Sequence, residues 1–293
     1  LERWSVAEDR WTHEVQLLPN GDMLSLQREQ VYEDEYPIDL QFSGTRRALL
    51  GTDKVIRVNA AHELVEEHSL ASILDTQRVG YLSINRDDPQ DWSHANAVVP
   101  WGDDAYLVSV RHLDVVVCVN RDGTLRWLLG DPTAWESPWA EAFLVPVGPL
   151  QWPRHQHALE VHGSQVVMFD NHNFDGSPYA PGPPDYVPES RAAAFRVDEA
   201  AGTVTADWSI PYEGLFSYAM GDADVLPVTG NVQITFANIF QPVRHSRVVQ
   251  VHLDDPTTPA LDLAVGLDAS RFVYRTLWGP SLYASDVVDE HLP

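Results

Sequence analysis

The chain is nearly without cysteine and lysine. Cys118 stands alone, which excludes an intrachain disulfide and any cysteine-built metal centre. It lies inside the apolar run Val115-Val-Val-Cys-Val119 and reads as a buried strand residue rather than a nucleophile. Lys54 is the one lysine, and the remaining positive charge is carried by eighteen arginines against 43 acidic residues, a net charge of −24. So negative a chain excludes nucleic acid and an anionic membrane as partners, because each requires a basic face. Also missing is any apolar run near the ~20 residues that a membrane helix needs, and no signal peptide is visible. Because the sequence opens on Leu1, an amino-terminal part is expected to be absent from it.

What is present is material for one turn-rich globule. The 293 residues are 44% apolar with 21 prolines and 17 glycines, enough to bury a sizeable core, and they read as a single domain spanning 1–293. Three segments begin alike, with a histidine heading a short apolar strand that runs into a turn: His13 to Gly21, His94 to Gly102 and His157 to Gly163. A fourth, Gly221 to Gly230, keeps the alternation but has no histidine at its head. Apolar residues at every second position mark half-buried strands, and recurrence at intervals of 63 to 81 residues marks a repeat array.

Each repeat yields four short strands, the composition of one antiparallel propeller blade. They fall at 13–18, 22–27, 54–59 and 63–67 in the first, then at 94–99, 105–110, 114–119 and 124–129. The third gives 157–161, 165–169, 191–197 and 203–209, and the fourth gives 221–226, 231–236, 246–252 and 260–265. Trp127 and Trp208 occupy matching outer strands and are expected to pack between blades. Segments 1–11 and 271–283 are available to supply strands of a further blade. Two insertions, Glu29 to Gly44 and Asn171 to Ser190, are aperiodic and rich in tyrosine or proline, and read as lids or pocket walls.

In a closed array the same position of successive repeats lies at one radius and height, so His13, His94 and His157 are expected to meet near one axis. Arg28 and Arg111 end the second strands of their blades, and Asn171 and Asn238 stand at the same corner of the other two. A cluster rich in donors and poor in carboxylates suits a tetrahedral oxyanion such as sulfate or phosphate, and a neutral imidazole beside a guanidinium can act as a nucleophile. His155 competes with His157 for that role, because two residues apart on one strand share a face. Arg28, Asn96 and His112 are expected to line or support the pocket. His62, His68, His162, His172, His245, His252 and His291 lack the register and read as surface residues.

Several stretches resemble the arylsulfate sulfotransferase family. They are Asp91-Trp-Ser-His-Ala-Asn-Ala97, Val108-Ser-Val-Arg-His112, Gln156-His-Ala158 with Phe169-Asp-Asn171, and Trp127-Leu-Leu-Gly130, together with the Leu18-Pro-Asn-Gly21 type of strand opening. The resemblance implies a six-bladed β-propeller that moves a sulfuryl group from a phenolic sulfate ester to a phenol. It further implies transient sulfation of His157, with His13, His94 and Arg111 holding the sulfuryl oxygens, and a periplasmic or secreted setting. No cofactor, nucleic acid or membrane enters that picture, and a homodimer is compatible with it. The chain departs from the family in being short, in lacking an amino-terminal domain and a cysteine pair, and in showing four clear blades.

Two other readings use the same residues: an aryl sulfate hydrolase, in which water takes the group, and a propeller that binds a metal through three histidines. Arg111 opposes the metal, since a guanidinium a few Å away repels a divalent ion, and the motifs are expected to bring no carboxylate ligand. A scaffold whose histidines merely pack is the non-catalytic alternative.

Overall fold

A computed structural model describes residues 11–240, 244–266 and 273–277. The structure is all-β, with four antiparallel sheets in chain order. The first holds β1 (Trp11–Leu17), β2 (Met23–Pro37), β3 (Thr45–Val58) and β4 (Leu64–Ser69), with β5 (Gln90–Asp91) parallel to β3. The second holds β6 (Ala95–Trp101), β7 (Ala105–Val110), β8 (Val115–Asn120) and β9 (Leu125–Gly130). In the third, β10 (Val145–Pro146) pairs with the outer strand of a set formed by β11 (His157–His162), β12 (Gln165–Asp170), β13 (Arg191–Asp198) and β14 (Thr203–Pro211). The fourth comprises β15 (Asp222–Val225), β16 (Val232–Ile239), β17 (His245–Val251) and β18 (Leu261–Gly266). No helix among the described residues is long and apolar enough to cross a membrane.

Most strands fall within a residue or two of the positions read from the sequence, because alternation and Gly turns mark both ends of each. The first sheet differs. Glu29 to Pro37 continues β2 and pairs with β3 as far as Pro37 opposite Thr45, so the first insertion is largely a hairpin extension rather than a lid. Its alternating positions are masked in sequence by acidic residues on the exposed face. Tyr32 lies exposed under the Arg47 guanidinium, whereas Tyr36 is buried and donates its hydroxyl to the Ser83 carbonyl at 2.9 Å.

Apolar faces of neighbouring sheets make three successive cores. Leu24, Leu50, Val98 and Val108 join the first sheet to the second; Leu107, Trp127, Met168 and Phe195 join the second to the third; Phe169, Ala192, Ile234 and Phe236 join the third to the fourth. Trp127 is buried in the second core, and Trp208 packs on the third, as expected of inter-sheet residues. Between the fourth and first sheets runs the segment 273–277. Gly221 N–H donates to the Tyr274 carbonyl at 3.2 Å, and Arg275 reaches Glu14 at 3.1 Å. Of the terminal stretches expected to supply further strands, Trp11 opens β1, residues 273–277 form no strand, and the rest lies outside the described residues.

Buried carboxylates clamp the first sheet to the head of the second and the second to the head of the third. Asp53 on β3 accepts the Ala95 N–H at 2.8 Å and the Ser93 hydroxyl at 2.7 Å, and Asp114, beyond β7, accepts the His155 N–H at 2.7 Å. Charge-assisted bonds of this kind are among the stronger ones available to a backbone. They fix the chain beside His94 and His157.

Candidate active site

The heads of the inner strands converge on one cavity of about 520 Å³. His13, His94, His157, Arg111 and His112 all line it. The His13 and His94 rings lie 5.2 Å apart, and the His94 and His112 rings 4.6 Å apart. Strain collects here: His13 (φ 56°), His94 (φ 44°) and Met220 (φ 64°) all occupy the left-handed region, uncommon for residues with a Cβ and a frequent mark of functional sites.

The fourth head has no histidine for a steric reason. Gly221 has φ 116°, and a Cβ there would stand 2.4 Å from the Phe169 ring. Its neighbour Met220 contributes backbone instead, donating its N–H to His157 Nε2 at 3.2 Å.

His157 is buried, and its Nδ1–H donates to Asn171 Oδ1 at 2.6 Å. That pairing assigns the lone pair to Nε2, the nitrogen on the Met220 side. Asn171 is itself held by its amide, which donates to the carbonyls of Ser217 and Met220, both at 2.8 Å. Burial, followed by the charge of Arg111, pushes His157 well below the ordinary histidine range, so the ring is neutral at neutral pH. His13 is pushed down to about 4, first by its surroundings and then by His94 and Arg28, and its Nδ1 pairs with the Tyr274 hydroxyl at 3.0 Å.

His94 is held differently. Its Nδ1 lies 2.6 Å from Asp91 Oδ2. Burial opposes ionisation of Asp91, but the hydrogen bond and charge of His94, with His112 and Arg28, outweigh it and hold the carboxyl below its usual range. Arg28 Nη1 meets Asp91 Oδ1 at 3.1 Å and Asp53 Oδ2 at 3.5 Å. Asp91 is therefore a carboxylate inside a cavity expected to be poor in them, delivered by β5 from the connection ahead of His94.

Arg111 opens a single 3₁₀ turn, Arg111–Leu113, directly after β7. Its guanidinium is buried, its Nη1 donates to His112 Nε2 at 2.7 Å, and its Nε has no partner among the described residues. It makes no ion pair there either. His112 Nδ1–H donates in turn to the Asp91 carbonyl at 2.6 Å. A buried cation is costly unless paired, which suits this cavity to an anion placed against Arg111.

The other sequence candidates sit at or beyond its edge. Arg28 lies in the middle of the extended β2 and acts on the cavity through Asp91, without lining it. Asn96 falls at a register shift of β6, donates to the Gln156 carbonyl at 2.8 Å and keeps its Oδ1 buried without a partner among the described residues. Asn238 does not line the cavity: β16 shifts register between Phe236 and Ile239, and its Oδ1 accepts from Arg244 at 3.2 Å. His155 precedes β11 and has φ 54°, so strand alternation does not carry it to the face of His157. Its ring is buried against Phe174 at 5.1 Å and lies outside the cavity lining. His172, expected at the surface, is buried beside Asp170 at 3.1 Å, and His291 lies outside the described residues.

Nor do the insertions supply the aromatic walls. These come from Tyr218 and Tyr274, with Leu82 and Asn85 from the connection between the first two sheets. The second insertion buttresses that connection instead, through Tyr81 stacked near Phe174 at 4.4 Å and Tyr179 beneath Arg78 at 3.9 Å.

Among the described residues, Asp91, His94 and His112 bring ligand atoms within 4.8 Å of one another, a set that could hold a metal. Both nitrogens of His112 are already committed, to Arg111 and to the Asp91 carbonyl. A tetrahedral oxyanion suits the cavity better, because the Arg111 guanidinium offers hydrogen bonds and positive charge and has no lone pair to give a metal.

A family model described as arylsulfotransferase (ASST) matches residues 5–275. The chain belongs to the arylsulfotransferase family. It is 24% identical over 248 residues to the arylsulfate sulfotransferase AssT of Escherichia coli O6:H1, a match covering 67% of this chain and 40% of that relative. The chain thus spans well under half the length of this arylsulfotransferase. A solved structure described as a 6-phosphogluconolactonase of Bacteroides fragilis aligns over 88% of this chain and 72% of its own, with 10% identity and a TM-score of 0.37, too low to carry an argument.

Proposed function

We propose that this protein transfers a sulfuryl group from an aryl sulfate ester to a phenol by way of a sulfated His157, on sheets arranged as blades of a propeller on the family's six-bladed plan. The observation that carries the reading is Arg111, a buried cation without an ion pair among the described residues, facing the same cavity as four histidines.

An aryl sulfate is an anion, so an anionic nucleophile is repelled where a neutral imidazole is not. His157 Nε2 forms the N–S bond as the ester S–O bond breaks, and the phenolate leaves with that bond's electron pair. Arg111 and His13 receive the sulfuryl oxygens, a strategy of positioning and preorganised charge. In the second half-reaction the acceptor oxygen forms its bond to sulfur, the N–S pair returns to Nε2, and a site histidine takes the phenol's proton. Met220 N–H must release Nε2 before attack, and the long 3.2 Å contact makes that release undemanding.

The test is steady-state transfer from 4-nitrophenyl sulfate to an added phenol. Parallel double-reciprocal lines, the ping-pong pattern, are expected. Intersecting lines would refute a covalent intermediate, and release of sulfate to water in preference to the phenol would identify a hydrolase.

A further inference from the structure

We infer that Asp91 and His94 act as one proton-transfer unit: His94 enters the cycle as an imidazolium against Asp91, gives its Nε2 proton to the departing phenolate and regains one from the incoming phenol. The inference rests on the sulfuryl-transfer reading and names the site histidine to which that reading gives the phenol's proton.

The two histidines are 5.2 Å apart and differ in their partners. His13 pairs with a neutral phenol group, Tyr274, and has the cationic Arg28 and Arg111 as neighbours. A proton added to it is opposed by both guanidinium groups, and Asp91 favours it only at a distance, without the direct contact that His94 has. His94 donates Nδ1–H to a carboxylate at 2.6 Å, which leaves Nε2 for the cavity and places a full negative charge against any imidazolium formed. Arg28 anchors the other oxygen of Asp91 at 3.1 Å, so the carboxylate is fixed in orientation and stays ionised. The other charged or titratable groups facing His94 among the described residues are His112, His155, His157 and Asp53, with Arg111 lining the same cavity.

Asp91 also reaches the oxyanion binder by a separate route. Its carbonyl accepts His112 Nδ1–H, and His112 accepts from Arg111. The side chain of Asp91 therefore sets the proton carrier, while its backbone sets the guanidinium. A side-chain substitution separates the two.

The experiment compares Asp91→Asn with wild type on 4-nitrophenyl sulfate and on unsubstituted phenyl sulfate. Asparagine keeps an acceptor for His94 but not the charge. A nitrophenolate leaves without a proton, and an unsubstituted phenolate does not, so the expected loss is on the order of 10²-fold or more for phenyl sulfate, the usual scale of general acid catalysis, and far smaller for the nitrophenyl ester. His94→Gln should show the same split, and the double variant should be no worse than His94→Gln alone, since the pair works as a unit. Equal slowing of both esters would overturn the inference and leave Asp91 a structural residue. Should Asp91→Asn fail to fold by circular dichroism, His94→Gln decides by the same split. Absence of any covalent adduct in wild type would instead remove the underlying sulfuryl-transfer reading, a distinguishable result.

Discussion

The heads of the second and third sheets place the same residue at the same point of the repeat and hold it in opposite ways. At His94 the partner of Nδ1 is a carboxylate, Asp91; at His157 it is an amide, Asn171; both contacts are 2.6 Å. An amide fixes a tautomer and orientation without stabilising a proton, which suits a nucleophile that must stay neutral. A carboxylate fixes the same tautomer and favours the imidazolium, which suits a proton carrier. The repeat supplies the imidazole, and its immediate partner decides what it does.

The comparison breaks most severely at the nucleophile. His157→Ala should abolish turnover altogether, whereas loss of the proton carrier leaves nitrophenyl transfer measurable; equal residual rates in the two variants, measured by nitrophenol release, would contradict the division of labour. Next in size is Arg111→Ala, expected to cost on the order of 10²-fold or more in kcat, as for removal of one preorganised oxyanion donor. Arg111→Lys should recover little, because a point charge does not reproduce the guanidinium fork. Retention of near wild-type kcat in either would place the oxyanion elsewhere.

A smaller effect sharpens the contrast by converting one corner into the other. Asn171→Asp puts a carboxylate on His157, which should raise its pKa by about 1–3 units. In wild type His157 lies well below 6.5, so the rate should hold as pH falls through that value; in the variant the acid limb should move toward neutrality as the nucleophile protonates. A pH–rate profile checks this, and an unmoved acid limb would mean that His157 is not the titrating nucleophile. Smallest of all, dialysis against a chelator should leave turnover unchanged. A loss restored by zinc would make Asp91 and His94 metal ligands.

Buried histidines also set a stability trend. His112 and His157 have folded-state pKa values below that of the unfolded chain, so below about 6.5 the unfolded state binds more protons and stability should fall with pH toward the folded values. Melting temperatures measured across that window test the sign.

Much of this was legible in sequence because strands and turns announce themselves locally. Alternation in Ala95–Trp101 and the Arg121-Asp-Gly-Thr124 turn place their strands to within a residue or two. The extension of β2 was not legible, since Glu33, Asp34 and Glu35 interrupt the apolar alternation that pairing with β3 nevertheless uses. His13, His94, His157 and Arg111 were found by their repeat phase. Asp91 was missed as a site residue although it stands three residues before His94, because a carboxylate in an irregular connection has no period to betray it. Met220 acts through its N–H and Tyr274 comes from the segment between the outer sheets, and neither carries a sequence signal. His155 looked equivalent to His157 only under an alternation that the positive φ at His155 breaks.

The most direct measurement is the intact mass of the protein mixed briefly with 4-nitrophenyl sulfate and no acceptor, followed by peptide mapping under conditions that spare a labile N–S bond. The account predicts one added SO₃ group, located on His157, absent in His157→Ala and discharged by a phenol. An unmodified protein that still turns over, or an adduct that persists in His157→Ala, would contradict it.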